Sequence, residues 1–177
     1  MSAINIRPEQ PEDAAAVHAL VTAAFAADED TARFVAAVRK HAVVCLAEVA
    51  VSDGVVGHAQ WCLAPLTVDG RPVAAAYLTC LCVAPGLQKT GIGSLLLRGG
   101  LDRLRQAGIR AASLLGDPDY YGRFGFSSEL AARIEAPHRA MGRGFQAVEL
   151  IAGALNGATL RSDFPAVIAP APDAAAP

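Results

Sequence analysis

The chain has 177 residues, 53% of them hydrophobic and 18% charged, with a formal net charge of -2. That length fits one domain with a real core, and the balance excludes a disordered chain and a basic nucleic-acid-binding surface. MSAINIRPEQ lacks the basic start and apolar core of a signal peptide, and no apolar run reaches the roughly 18 residues of a membrane span, so a cytoplasmic protein is expected.

The alternation from Ile4 to Arg7 predicts a first strand. Acidic residues then precede an alanine-rich stretch, which places a helix from about Glu12 to Ala26 with its acids at the positive end of the dipole. A second helix is expected from Asp28 to Lys40, with Phe34, Val35 and Val38 on one side. From Val43 the chain turns valine-rich, and a Ser-Asp-Gly turn at Ser52 to Gly54 between its apolar halves predicts a hairpin. Asp69 to Pro72 gives another turn, and the strand VAAAYLTCLCVAP ends at Pro85, making four strands up to that point. Helical spacing runs from Gly91 to Ala107, with Ile92, Leu95, Leu96 and Leu104 on one face; Gly99 and Gly100 sit in its middle and Gly108 closes it. IRAASLLG reads as a fifth strand, DPDYYGRFGF as a short helical turn ended by Gly125, FSSELAARI as a sixth strand and FQAVELI as a further one. The expected organisation is one domain over residues 1–168 and a frayed tail over 169–177, where APAPDAAAP can bury nothing.

Cys45, Cys62, Cys80 and Cys82 lie in apolar, strand-like surroundings without a CxxC spacing, which predicts reduced core thiols and no metal site. Cys80 and Cys82 share one strand face, so a cleft on that face would bring one of them against a ligand.

The stretch VAPGLQKTGIGSLLLR, from Val83 to Arg98, carries the functional signal. A strand stops, the backbone turns through Gly91 and Gly93, and a helix begins, so unpaired amides and the positive end of the dipole converge on one spot suited to phosphate. Lys89 adds a point charge there. The Walker pattern fails because Gln88, not glycine, precedes Lys89-Thr90. The dinucleotide pattern fails because its third glycine position is Leu96 and the preceding strands are antiparallel hairpins. A nucleotide-binding protein is therefore disfavoured.

What remains, Q-x-x-G-I-G after a V-x-P strand end, resembles the GNAT acyltransferases. LTCLCVAP, GLQKTGIG, SLLLRGGLDRL, AASLLG and DPDYYGRFGF stand in that family's order, and DGVVGH resembles its turn between the second and third strands. The match covers roughly Ile4 to Phe126, and the segment from Leu115 to Phe126 is similar to that of the YhbS-like GNAT proteins. The resemblance implies a mixed, mostly antiparallel sheet splayed between its fourth and fifth strands, with helices on both faces and acetyl-CoA in the opening as cosubstrate. It implies that main-chain groups of Leu81, Cys82 and Val83 run beside the pantetheine arm and acetyl group. The amides of Gln88, Lys89, Thr90, Gly91, Ile92, Gly93 and Ser94 would hold the pyrophosphate.

By the same resemblance Tyr121, five residues before Phe126, is the proton donor to the leaving thiolate. A free phenol near pKa 10 facing a thiol near 8.5 costs about 2 kcal/mol for that transfer. Tyr120 reads as packing. The general base has no obvious owner: several relatives carry a glutamate on the strand entering Val83, where this chain has Tyr77 and Thr79, while Glu48 and His58 lie on nearby strands and a water chain is an equal alternative. His18 and His41 read as surface, and His138 falls in a stretch the patterning does not place. The expected partners are acetyl-CoA and an amine acceptor, with no nucleic acid, membrane or metal, and a homodimer as one option for assembly. An acyl-CoA-binding module without turnover is the alternative function.

Overall fold

A computed structural model describes residues 3–26, 29–41, 43–162, 164–165 and 168. The C-terminal tail expected over 169–177 lies outside them. Strand β1 (Asn5–Pro8) leads through a single 3-10 turn at Pro11–Asp13 into helix α1 (Ala14–Ala24) and then α2 (Glu29–His41). Asp13 holds this entry together: its carboxylate takes the Gln10 amide at 2.8 Å and the Arg7 guanidinium at 2.6 and 2.9 Å. Pro11 opens the turn without needing an amide partner.

The hairpin is β2 (Val44–Val51) with β3 (Val55–Leu63), joined at Ser52 to Gly54. Beyond it the expected single strand to Val68 divides. Strand β3 ends at Leu63, and after Pro65 the short strands β4 (Leu66–Val68) and β5 (Arg71–Val73) leave for a second sheet. Proline has no amide to extend the ladder, which is the physical reason for the break. The main sheet resumes with β6 (Ala75–Val83), so the four strands expected before Pro85 are six.

Helix α3 (Ile92–Gln106) and strand β7 (Ala111–Leu115) follow as expected, and the short α4 (Pro118–Tyr121) continues as a 3-10 turn to Phe124. The sixth strand expected at FSSELAARI is instead helix α5 (Ser128–Ala132). Ser127 explains the difference, because its hydroxyl caps the helix by accepting the Leu130 amide at 3.2 Å, and only Ser127 itself bridges to Ala147 as in a sheet. A two-residue strand β8 (Ile134–Glu135), then β9 (Phe145–Glu149) and β10 (Leu160–Ser162) complete the described elements.

The six-stranded sheet runs in the order β1-β2-β3-β6-β7-β9, and all its pairings are antiparallel except β6 with β7. The second sheet has the order β5-β4-β10-β8. Helices cover both faces of the main sheet. Val17, Leu20, Val21 and Val35 of α1 and α2 pack on Val49, Cys80 and Cys82, while Ile92, Leu96, Leu97 and Leu104 of α3 pack on Ala50, Ala59, Trp61 and Leu114.

Each helical layer also encloses charge. Under α3, Glu48 is fully buried and pairs with Arg103. Gly100 gives this pair its space, since a Cβ there would meet Trp61 Nε1 at 2.9 Å and Glu48 Oε2 at 3.3 Å. On the other side, Glu9 joins three elements by taking Arg39 of α2 and His58 of β3 on one carboxylate oxygen, the His58 Nε2 contact being 3.0 Å. Burial opposes the Glu9 charge, but the hydrogen bonds from His58 and Arg39 outweigh it and hold the carboxyl at about 2.

The two mid-helix glycines should respond with opposite signs. Gly100→Ala loses about 1–3 kcal/mol in denaturant melts, because overpacking exceeds the roughly 1 kcal/mol of helix propensity gained. Gly99→Ala, whose Cβ would meet only the Arg103 side chain at 3.5 Å, should gain up to about 1 kcal/mol. The Glu9 pairing also fixes an acid limb. A carboxyl lowered from 4.5 to about 2 stabilises fully above its unfolded value, and that contribution drains away as pH falls from 4.5 towards 2. Thermal melts should therefore lose stability across that window, and Glu9→Gln should lower stability at neutral pH by on the order of 2 kcal/mol and flatten the acid limb.

Candidate active site

The site begins where α3 begins. Pro85 to Leu87 forms a 3-10 turn, Lys89 adopts a left-handed φ of 61° and Gly91 one of 95°, so the chain reverses tightly into the helix. Gly91 is the N-cap and offers no side chain to the first-turn amides. The amides of Ile92, Gly93 and Ser94 have no carbonyl one turn back and stand available to a ligand at the positive end of a fifteen-residue helix.

Strand β6 forms the second wall. Its parallel pairing with β7 runs from Ala75↔Ala111 to Leu78↔Leu114 and stops there, so Thr79 to Val83 have an edge without a strand partner. On the opposite edge the Ala84 amide bonds to the Val56 carbonyl at 2.9 Å, and Cys82 stands opposite His58 in the same register. Alternation then turns the amides and carbonyls of Leu81 and Val83 towards the open edge and those of Cys82 towards β3. Of the three residues expected to present main chain to the opening, Leu81 and Val83 do so and Cys82 does not.

The third wall is the segment after β7. Asp117 caps α4 by accepting the Asp119 amide at 2.9 Å, which sets Tyr120 and Tyr121 in an edge-to-face pair with ring centroids 4.9 Å apart. Glycines make room for both rings. A Cβ at Gly93 would lie 3.0 Å from Tyr120 Oη, and one at Gly116 would lie 2.3 Å from the Tyr121 ring. Burial, with Tyr120 and the sulfur of Cys80 nearby, pushes the Tyr121 hydroxyl well above its ordinary value. The phenol thus keeps its proton at any working pH, and its mismatch with a free thiol is larger than that of an unburied tyrosine.

These walls enclose an open cavity of about 500 Å³ lined by Leu81, Cys82 and Val83 of β6, Gln88, Lys89, Gly91, Gly93 and Ser94 of the turn, and Tyr120, Tyr121 and Arg123. Ala24 and Phe25, at the end of α1, close the remaining side. Two of the turn residues put no side chain into the cavity: Thr90 turns its hydroxyl onto the Leu87 carbonyl at 2.6 Å, and the Ile92 side chain packs into the core beside Ala50 and Ala59 while its amide stays at the free end of the helix. Arg123 was not foreseen. Its guanidinium lies over the Tyr120 ring, 4.6 Å from the centroid, and its Nε donates to the Tyr120 carbonyl at 3.1 Å. With Lys89 it makes both charged residues of the lining positive, which suits an anionic ligand.

The residues weighed for proton abstraction separate cleanly. Tyr77 is buried against His138 and Phe164, and burial raises its pKa. Thr79 is spent on Gln60, donating to its carbonyl and accepting from its side-chain amide, both at 3.1 Å. Glu48 lies beneath α3 with Arg103, on the face opposite to Cys80 and Cys82. His58 is fully buried yet stands directly across the ladder from Cys82, which lines the cavity. His18 and His41 are exposed as expected, and His138 belongs to a buried aromatic cluster. Cys62, Cys80 and Cys82 are buried free thiols, whereas Cys45 is exposed, contrary to the expectation of a core residue.

Comparison with known proteins agrees with this geometry. The model of the acetyltransferase (GNAT) domain family matches residues 5–128. The uncharacterized N-acetyltransferase YhbS of Escherichia coli K12 is 35% identical over 158 residues, covering 87% of this chain and 92% of that protein. The crystal structure of Escherichia coli YhbS in complex with CoA superposes with a TM-score of 0.81 at 29% identity, covering 93% of this chain and 91% of that one. A GNAT family acetyltransferase from Brucella melitensis in complex with acetyl-CoA gives 0.66 at 33% identity, covering 84% and 89%. Among the described residues no helix is long and apolar enough to cross a membrane. With its splayed sheet, its amide-lined turn and these relatives, the chain belongs to the GNAT acetyltransferase family.

Proposed function

We propose that the protein transfers the acetyl group of acetyl-CoA to an amine by direct attack within a ternary complex. The observation that carries this reading is the continuity of one cavity from the start of α3, along the open edge of β6, to Tyr121. The pyrophosphate would lie on the amides of the Gln88 to Ser94 turn with Lys89 and Arg123 as counter-charges. The pantetheine arm would follow β6 in place of the missing strand, using the amides and carbonyls of Leu81 and Val83. One of those amides then faces the thioester oxygen and stabilises the oxyanion that forms on attack.

Tyr121 supplies the proton for the departing CoA thiolate. Its raised pKa is matched by the same low-dielectric surroundings, which raise the pKa of the leaving thiol as well. No carboxylate lines the cavity among the described residues, and Ala24 and Phe25 make its closed side apolar. A small apolar amine or a peptide N-terminus fits this better than a polycation. The missing carboxylate also favours the second reading, a module that binds acyl-CoA without turnover.

Turnover of acetyl-CoA with amines, polyamines, amino acids and peptides, read as thiol release, tests the reading directly. Tyr121→Phe should lower kcat by on the order of 10²-fold while CoA affinity stays within a few-fold. Unchanged turnover in that variant would remove Tyr121 from the mechanism, and no thiol release across the panel would favour the module. Lys89→Ala with Arg123→Ala should weaken CoA binding by about tenfold or more, and less so at high salt.

A further inference from the structure

One group of side chains beside the cavity has no place in the direct-attack mechanism. A ring nitrogen of His58 and the sulfurs of Cys80 and Cys82 lie within 4.8 Å of one another, and all three residues are buried. His58 is oriented from behind: Nε2 meets the Glu9 carboxylate at 3.0 Å and the Arg39 guanidinium at 3.2 Å. Its other nitrogen, Nδ1, is buried without a hydrogen-bond partner. Such a nitrogen is costly to leave unpaired unless it has a proton to accept. Cys82 is directly opposite His58 in the ladder and is the member of the group that lines the cavity.

We propose that Cys82 is a self-acylation site, with His58 as its base and Glu9 as the group that orients the base, and that it takes the acyl group of a bound CoA thioester when no amine is present. The proposal rests on the reading that the cavity holds acyl-CoA. Carboxylate, imidazole and thiol stand in the order that activates a nucleophile, the base held by a third group. The Cys80 sulfur lies on the same strand face, within 4.8 Å of Cys82. The nearby Cys80 thiol, and after it His58, lowers the Cys82 thiol against the opposing effect of burial, while Cys80 itself is raised. Burial alone would keep His58 neutral, but Cys82 and Glu9 together raise its proton affinity. Arg39 is the remaining charge facing the group, and it meets both Glu9 and His58 Nε2.

The step balances without another reagent. His58 takes the Cys82 proton, the thiolate sulfur attacks the thioester carbonyl carbon, and a tetrahedral oxyanion forms. Its collapse breaks the bond to the CoA sulfur, and CoA leaves as the thiol with the proton returned from His58. One thioester is exchanged for another, so an excess of acetyl-CoA drives the protein to the S-acetyl form.

The test is to incubate the whole protein with acetyl-CoA and no amine, and to map acetyl groups by peptide mass spectrometry before and after neutral hydroxylamine. The expected result is one hydroxylamine-labile acetyl group on Cys82, lost in Cys82→Ala, kept in Cys45→Ser, and formed on the order of 10²-fold more slowly in His58→Gln. A second measurement needs no CoA and no variant. Iodoacetamide at neutral pH should alkylate Cys82 faster than Cys45, a surface residue whose sulfur is tucked against the Trp61 carbonyl at 3.5 Å and whose thiol is pushed up to about 11 by that local covering and the nearby Cys62. Calorimetry on the same wild-type sample separates the two readings. CoA binding without an acetyl group on Cys82 would overturn the proposal, as would Cys45 reacting first. Absence of CoA binding would overturn the proposed function along with it.

Discussion

Parallel pairing between β6 and β7 is the interaction on which the site depends, and what matters is where it ends. Beyond Leu78 and Leu114 the strands part, so a row of main-chain donors and acceptors faces a gap instead of a neighbour. Unpaired backbone is tolerated only where something polar can satisfy it. The gap is held open from both sides, by α3 pressing on β3 and β6 and by the ring pair of α4 seated over Gly93 and Gly116. A sheet that zipped to its end would bury those groups and leave no channel from the helix terminus to Tyr121.

The two helical layers meet the sheet through different chemistry. Under α3 the buried Glu48 pairs with the half-exposed Arg103, and Gly100 leaves the room the carboxylate needs. Under α1 and α2 the charge is a chain that begins at Glu9, crosses to Arg39 and His58, and ends at Cys80 and Cys82, the second of which lines the cavity. The first arrangement, a buried carboxylate under a half-exposed arginine, bears on how the helix docks. The second leads from the surface of the domain to the lining of its cavity.

Much of this was legible in the sequence because it depends on local rules. The reversal at Gly91, the helix behind it and the punctuation at Gly108 and Gly125 all follow from backbone chemistry that glycine and proline announce. The segment after Phe126 differs because FSSELAARI is too short for its apolar spacing to separate strand from helix, and the Ser127 hydroxyl decides for helix. Strand β4 lies at the end of an apolar run and β5 overlaps the expected turn at Asp69 to Pro72, and nothing local says to which sheet a three-residue strand belongs. Arg123 and the environment of His58 were illegible for another reason. Glu9, Arg39 and Cys82 are 49, 19 and 24 residues from that histidine, and only the register of β3 and the docking of α2 bring them together.

The second sheet has a consequence for how the molecule comes into being. Strand β10 is internal to it, parallel to β8 and antiparallel to β4, and the Asp69 carboxylate receives the amides of Ala158 and Thr159 at 3.0 and 2.9 Å. During vectorial synthesis, β4 and β5 emerge early and must wait for a partner encoded some ninety residues later. The helix terminus and cavity can therefore assemble on a nascent chain whose opposite flank is still an exposed two-stranded ribbon. That ribbon keeps one open edge until β10 has been made.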